Sequence, residues 1–376
     1  MLRKFAVICL VIIMLCGLVS CAHSRTIESI EYTELGIPEA LRYSDGNRAR
    51  VPWDMIILDG KLYVGGGDYD GNAGPVDIWA YDIARGEWYV SGTVPEEEVF
   101  RFCIFNDTLI IPGIDPTEDW SYGNYYKLSN ENWEKYRNIP GGMHNFDMIE
   151  YHGLIFCGLG VSGGQYPIAC SDDGGKTFST VKMYKDGVPL DTSGSQCVRV
   201  CDLFLLNDTI YAAFYYGDTE LTYDLYRYEN GAFVFDNHWI QKINQVKYNN
   251  CIISGKVTYK DTVFFTTGYL YATTDMANFT RITFPSSPNV FDVIVSNDKL
   301  YALCGQLLED GNHRVSVWTY NGGEATNFTE LFNFTYEVQP QSISCDGDIF
   351  YIGMGNYKQN HEKNGMVVRV DYTKNK

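Results

Sequence analysis

The sequence predicts an all-β protein: a seven-bladed β-propeller of four-stranded antiparallel blades, with the N-terminal strand closing the last blade. Three observations predict it. One hairpin signature recurs seven times, an apolar run, a two-residue turn and a second apolar run, with turns at Asp59-Gly60, Asn106-Asp107, His152-Gly153, Asn207-Asp208, Lys260-Asp261, Asn297-Asp298 and Asp346-Gly347. These turns lie 47, 46, 55, 53, 37 and 49 residues apart, and a period near fifty made only of strand and turn signals is the spacing of one blade per repeat. The seventh repeat ends at Met366–Val370 without an outer strand, while Ile30–Pro38 shares the pattern and the Ile-Pro ending of Trp133–Pro140 in the second. Pairing the two would remove free sheet edges.

The chain opens on Leu2-Arg3-Lys4 and an apolar stretch from Phe5 to Val19. A charged start and so short a run read as a signal peptide, not a spanning helix. It ends in Leu18-Val19-Ser20-Cys21, which resembles the lipobox of bacterial lipoproteins. That resemblance implies a signal over residues 1–20, lipid on Cys21, a tether over 21–25 and one propeller domain over 26–376. The protein is then expected to be exported and membrane-anchored, at the cell surface or the periplasmic face. Sequons such as Asn106-Asp107-Thr108 and Asn333-Phe334-Thr335 leave a secreted eukaryotic glycoprotein as the alternative.

The chain carries 47 acids against 29 Lys and Arg, a net charge of −18, and removing Arg3 and Lys4 with the signal makes it more acidic still. Such a surface repels nucleic acid and anionic headgroups, so membrane contact is expected through lipid alone. The expected partners are a glycan or an envelope protein, bound by a monomer. Eight cysteines remain beyond Cys21, with no metal-ligand spacing. Export permits disulfides; Cys157 with Cys170, or Cys197 with Cys201, are the pairs within reach.

The first repeat is the most fully lettered. Strand signals cover Asp54–Leu58 and Lys61–Val64, then Gly65-Gly66-Gly67, a third strand Asp77–Tyr81 and a fourth around Trp88. The order apolar run, double glycine, Tyr81-Asp82, Trp88 resembles a kelch repeat. The later repeats keep this plan with fewer of the letters. In the third, Ser171, Asp173, Gly175, Thr177 and Phe178 match the Ser-x-Asp-x-Gly-x-Thr-aromatic pattern and resemble the Asp-box, or BNR repeat, of sialidases. There the box is a structural turn away from the catalytic centre, with the Asp taking turn amides.

Five residues before each turn stand Asp54, Arg101, Asp147, Asp202, Gly255, Asp292 and Gln341, preceded by Trp53, Phe100, Phe146, Cys201, Ser254, Phe291 and Pro340. Repetition at one structural position predicts a polar ring at the loop-face mouth of the central channel. Two readings compete. The aspartates cap the entry to each inner strand, or they bind a cation or polyol. Four carboxylates in proximity raise some of their own pKa values or attract a cation, unless Arg101 neutralises them. Loop-face aromatics, Trp53, Trp120 and Tyr122, suit stacking on a sugar. Asp68, Asp70, Asn72 and Asp77 resemble a calcium loop with its final acid one residue late, which makes calcium the one candidate cofactor.

Arg50-Val51-Pro52 resembles the Arg-Ile/Leu-Pro motif of sialidases, where the arginine belongs to a carboxylate-gripping triad. The resemblance implies Arg199 and Arg281 as its partners and Asp68 or Asp70 as the acid. It departs from the family in having one Asp-box and in its acidic ring. No phosphate loop, Gly-x-Ser-x-Gly elbow or HExxH is present. Among the six histidines, His144 alone precedes an inner strand on the binding face. The sequence therefore favours a lipid-anchored binding module presenting its loop face and acidic mouth to a glycan or protein. The alternatives are a sialidase-like or other glycoside hydrolase or lyase, and a structural component of an envelope complex.

Overall fold

The computed structural model describes residues 29–375 apart from 44–45, 47, 69–70, 72–73, 196, 218–221, 240–252, 254 and 286–288. The expected signal peptide over residues 1–20, Cys21, Asp70 and Asn72 thus lie outside the described residues. Among those described, no helix is long and apolar enough to cross a membrane.

The protein is an all-β propeller of small antiparallel sheets. Five are separate and four-stranded, as in Met55–Leu58, Lys61–Val64, Val76–Asp82 and Glu87–Val94. The sequence predicts seven separate blades; the structure instead joins its other strands into one sheet of twelve. This sheet holds the hairpins His144–Tyr151/Leu154–Val161 and Cys197–Leu206/Thr209–Gly217. Their strands run several residues past the expected blade towards the loop face. The overhang pairs Gly160 with Arg199 and Val161 with Val198, fusing the two units. On the other side the short strands Ile114–Pro116 and Glu96–Glu98 extend the same sheet.

Hairpin chemistry explains the register. Asn106, Asp107, Asn207, Asp208, Asn297 and Asp298 all lie at positive φ, between 47° and 59°. Such paired left-handed turns match the twist of the flanking strands, and Asn and Asp tolerate them. One turn moves. Asp346 pairs with Ile349, so the last hairpin turns at Gly347-Asp348 and not at Asp346-Gly347. The N-terminal segment Thr33–Gly36 pairs with Val367–Asp371 and supplies the outer strand of the last sheet.

The core lies between neighbouring sheets, filled by aromatics such as Tyr126, Tyr226, Phe156, Phe214, Phe264 and Phe350. The buried thiols belong to this packing. Cys157 pairs with Ala169 and Cys170 with Phe156, so register sends the two side chains to opposite faces. Both are free thiols, which removes the first of the expected disulfides. The Cys197 side chain, and with it the second expected pair, lies outside the described residues. The Ser171–Phe178 turn is closed by Asp173, whose Oδ1 accepts the amides of Lys176 and Thr177 at 3.0 and 2.9 Å. Asp275 repeats this with the amides of Ala277 and Asn278 at 2.8 and 2.7 Å, in a segment that lacks the box glycines.

Candidate functional site

The ring residues do converge, and their oxygens latch one sheet to the next. Asp54 Oδ2 accepts the Phe102 amide at 2.7 Å, Asp147 Oδ2 the Leu203 amide at 2.7 Å, and Asp292 Oδ2 the Ile343 amide at 3.0 Å. In each case the donor is the residue just after the ring position on the following inner strand. Asp202 Oδ2 takes Ile253 N at 3.1 Å instead. The fifth position is Gly255 because a Cβ there would lie 2.3 Å from Asp292 Oδ1. With the last turn shifted, the seventh position is Ser342, not Gln341, and its hydroxyl donates to Pro52 O at 2.7 Å.

A shared bulge sets this geometry. The ladder skips Phe146, Cys201, Phe291 and Gln341, each immediately before a ring position. A bulge re-aims the side chains around it. Trp53, Phe100, Phe146 and Cys201 thereby gather with Val51, Ile114 and Tyr215 in one buried cluster, against which Tyr223 and Tyr357 pack. That cluster covers the ring on the loop side. A channel of about 530 Å³ runs the other way, towards the hairpin turns, lined by Asp54, Arg101, Asp147, Gly255, Asp292 and residues following them. The ring is therefore the inner end of a channel, not a mouth on the loop face.

Charge divides across the ring. Arg101 reaches Asp147 Oδ1 at 3.0 Å and Asp202 Oδ1 at 2.9 Å. Lys256 also binds Asp147, and donates to Leu203 O at 2.6 Å. Burial works to raise Asp147, but Lys256 and Arg101 hold its pKa below the ordinary value. Asp54 and Asp292 face each other with no such ion pair among the described residues. Burial pushes Asp54 up to about 6, and burial together with Asp54 pushes Asp292 well above the ordinary range. A carboxyl raised on folding stabilises fully below its unfolded pKa, about 4, and loses that contribution as pH rises through the folded value. Wild-type protein is thus expected to lose on the order of 1–3 kcal/mol between pH 5 and 8 from this pair. Urea midpoints across that range should fall less steeply in Asp54→Asn. An identical slope in the variant would sink the assignment.

On the loop face the fused sheet builds something the repeats do not. Glu98 pairs with Ile114, Ile114 with His144, His144 with Gly160, Gly160 with Arg199, Arg199 with Tyr215 and Tyr215 with Tyr223. Directly opposed residues share a face, so these side chains form one row across seven strands, roughly 30 Å at strand spacing. The Arg199 guanidinium lies 5.5 Å from the Phe146 ring and 5.8 Å from Tyr215. Tyr215 and Tyr223 stack at 5.9 Å. His144 stacks on Phe146 at 5.2 Å, with Nδ1 4.0 Å from Asp115. Burial, aided by Arg199, pulls His144 down to about 3, so the imidazole is neutral. Asp115 is held at φ 58°, and burial raises its pKa against the pull of Arg199. Beside it, burial, Asp115 and Asp68 push Glu97 up to about 7.

Of the residues singled out in the sequence, Trp53 floors this region, its indole donating to Gly67 O at 3.0 Å with Arg48 4.4 Å over the ring. Trp120 and Tyr122 stand 55% and 48% exposed, while the acids beside them are tied up, Glu118 by Lys135 at 2.6 Å and Asp119 by Arg137 at 2.5 Å. Of the calcium-loop residues, Asp68 and Asp77 are described. Asp68 sits 3.4 Å from Arg48, and Asp77 accepts Thr93 Oγ1 at 2.6 Å. The arginines of the sialidase resemblance separate: Arg281 lies on an outer strand over Tyr269 at 3.6 Å, and Arg50 donates to Asn360 Oδ1 at 3.1 Å. The row itself escapes sequence reading, because it depends on pairing between repeats. Only His144 and Arg199 carried a separate signal.

No family model matches the chain, and no curated protein matches it. Among solved structures, a chain of the mitotic checkpoint complex superposes with TM-score 0.52 at 10% identity, over 93% of this chain and 94% of that one. The WD40 β-propeller domain of Doa1 gives 0.47 at 12% identity, over 90% and 96%. A polysaccharide lyase of family PL25, an ulvan lyase, gives 0.46 at 12% identity, over 92% and 96%. At such identities the likeness is one of fold.

Proposed function

We propose that the protein binds a glycan along the His144–Arg199–Tyr215–Tyr223 row of its loop face, as an exported protein held to a membrane by lipid on Cys21. The observation that carries this reading is the row: four side chains from separate strands brought into line by the fused sheet. Half-buried Tyr223, stacked on buried Tyr215, offers its face to the C–H surface of a sugar, and the half-buried Arg199 guanidinium and Asp115 carboxylate offer a donor and an acceptor to its hydroxyls, with buried His144 behind them. The net charge of −18 favours a neutral glycan over a polyanion. The ring beneath serves as the latch between sheets. We read the twelve-stranded sheet as two further blades joined by their overhangs, so that seven inner strands surround the channel. The strands contributing Asp54, Arg101, Asp147, Leu203, Gly255, Asp292 and Ile343 to its wall support that count.

One observation favours a second reading as a glycoside hydrolase. A carboxyl held protonated near neutral pH beside a second carboxyl is the pattern of a general acid and its partner, and Glu97, pushed up to about 7 beside Asp115, itself raised by burial, has that form. A glycan array on the chain lacking its first 21 residues tests both. Arg199→Ala and Tyr223→Ala are each expected to weaken binding about ten- to hundredfold, with Val188→Ala, on an exposed outer strand, as the unaffected control. Equal binding by all three variants would remove the row from the site. Trimmed glycans, at a rate that falls as pH rises through about 7 and vanishes in Glu97→Gln with binding retained, would select the hydrolase.

A further inference from the structure

The channel of about 530 Å³ on the turn side of the ring is of a size that takes a small molecule. Its inner end is polar, bordered by Asp54, Arg101, Asp147 and Asp292. Its wall is largely apolar, with Ile57, Ile149, Val257 and Ile294. Ile104 and Val295 carry this lining outwards and stand 45% and 39% exposed. From Arg101 to Ile104 is three residues along one inner strand, roughly 10 Å of depth.

Charge at the inner end does not balance. Four ring aspartates meet two cations, and both cations go to the same side: Arg101 and Lys256 pair with Asp147 and Asp202. Among the described residues, Asp54 and Asp292 bond to backbone amides alone. Asp54 accepts Met55 N at 2.8 Å and Phe102 N at 2.7 Å; Asp292 accepts Val293 N at 2.8 Å and Ile343 N at 3.0 Å. A carboxylate accepts about four such bonds, so each keeps lone pairs in reserve. Both side chains border the same void, and Asp292 feels the charge of Asp54.

We propose that this channel binds a small organic cation, its ammonium head against Asp54 and Asp292 and its apolar body along Ile57, Ile149 and Ile294 towards Ile104 and Val295. An ammonium supplies the counter-charge and the N–H donors that this half of the ring lacks, and its hydrogen bonds to carboxylates are of the strong, charge-assisted kind. An anion would meet an excess of carboxylates, and a neutral ligand would leave that excess uncompensated. A metal ion fits less well, because among the described residues no three acid, histidine or cysteine side chains are grouped to hold one. The site does not rest on the glycan reading: the cluster of Trp53, Phe100 and Phe146 separates it from the loop face.

Binding and protonation compete for the same oxygens. Burial pushes Asp54 up to about 6, so the apparent affinity for an ammonium should rise about tenfold from pH 5 to pH 8, with protons released on binding. Among the other groups on the wall, burial pushes Cys103 up to about 12 and Cys345 up to about 11, so both stay neutral. Asp147 is held ionised by Lys256 and Arg101. Glu150, towards the outer end, accepts Asn106 Nδ2 at 3.1 Å. Asp202, behind Arg101, is itself raised by burial, and a comparison with Asp54→Asn separates its response from that of Asp54.

Calorimetry on the chain lacking its first 21 residues, which keeps every described residue, tests the site with hexylammonium, hexanol and hexanoate, three probes sharing one body. At pH 8 hexylammonium is expected to bind about ten- to hundredfold more tightly than hexanol, and hexanoate more weakly still. Two buffers of different ionisation enthalpy should show proton release at pH 6. Asp54→Asn should weaken hexylammonium about tenfold or more at pH 8 and flatten its pH dependence. Asp172→Asn, which removes the same charge from an exposed turn, should change neither. No binding of hexylammonium, parity with hexanol, tighter binding of hexanoate, or unchanged binding in Asp54→Asn overturns the proposal. Should Asp54→Asn fail to fold, the wild-type chain still decides: preference for the ammonium head together with proton release supports the site, and preference without release overturns it. Glycan binding is read separately on the array, so a failure here leaves the loop-face reading standing.

Discussion

Replacing Arg101 with methionine is expected to cost about 3–5 kcal/mol at pH 8 and clearly less at pH 5. The guanidinium is the common partner of two buried carboxylates, Asp147 and Asp202, and also donates to Ile253 O at 2.7 Å. Methionine fills much of the same volume but leaves the two acids with Lys256, which already serves Asp147 and lies 3.7 Å from Asp202. An uncompensated buried charge is costly, and the group escapes by taking up a proton. In wild type, Asp202 is already raised by burial, with Arg101 and Lys256 opposing. Without Arg101 it climbs further, and Asp147 follows. Both forms of the carboxyl, charged at pH 8 and protonated nearer pH 5, are then sampled within a measurable window. Urea unfolding at the two pH values separates electrostatics from packing. An equal loss at both would mean that Arg101 acts through its stem and not its charge.

The ring shows where sequence reading reaches and where it stops. Residue alternation and turn chemistry are local, so Asp54, Arg101, Asp147, Asp202 and Asp292 could be aligned without coordinates, and so could the N-terminal strand that completes the last sheet. The one-residue slip at Asp346-Gly347-Asp348 arose because both dipeptides make acceptable turns. The bulge at Gln341 decides between them, and a bulge leaves no mark in composition. The depth of the ring was equally hidden. Whether an aspartate caps a strand or opens a channel depends on what covers it, and the cover here is assembled from the residue just before each ring position. The strand Glu96–Glu98 reads as a solvated acidic loop until Arg48, Asn124 and Tyr126 arrive from distant parts of the chain. The loop-face row is the extreme case. Its members come from two hairpins and three further strands, and what joins them is an overhang between repeats of unequal length, so periodicity, the strongest signal in the sequence, points away from it.

Gly160→Val is expected to erase that row's function while leaving most of the fold. Gly160 stands at the seam, paired to His144 on one side and to Arg199 on the other. A Cβ at this position would lie 2.7 Å from His144 Cδ2, closer than a side-chain carbon tolerates, and 3.0 Å from Phe146 Cε2, a tight contact. The imidazole must rotate off Phe146, and with it goes the stacking that holds His144 near Asp115. Overpacking of this kind costs about 1–3 kcal/mol, which a domain of this size survives. The loss falls on recognition: if the row is the site, affinity should drop about ten- to hundredfold, with the urea slope unchanged and the midpoint lowered only modestly. The variant distinguishes a pre-arranged surface from a set of independently adaptable side chains. Full affinity with a displaced His144, seen as a shifted imidazole resonance, would show that the ligand does not use the centre of the row. A collapse of both stability and binding would show instead that the seam is what holds the two fused hairpins together.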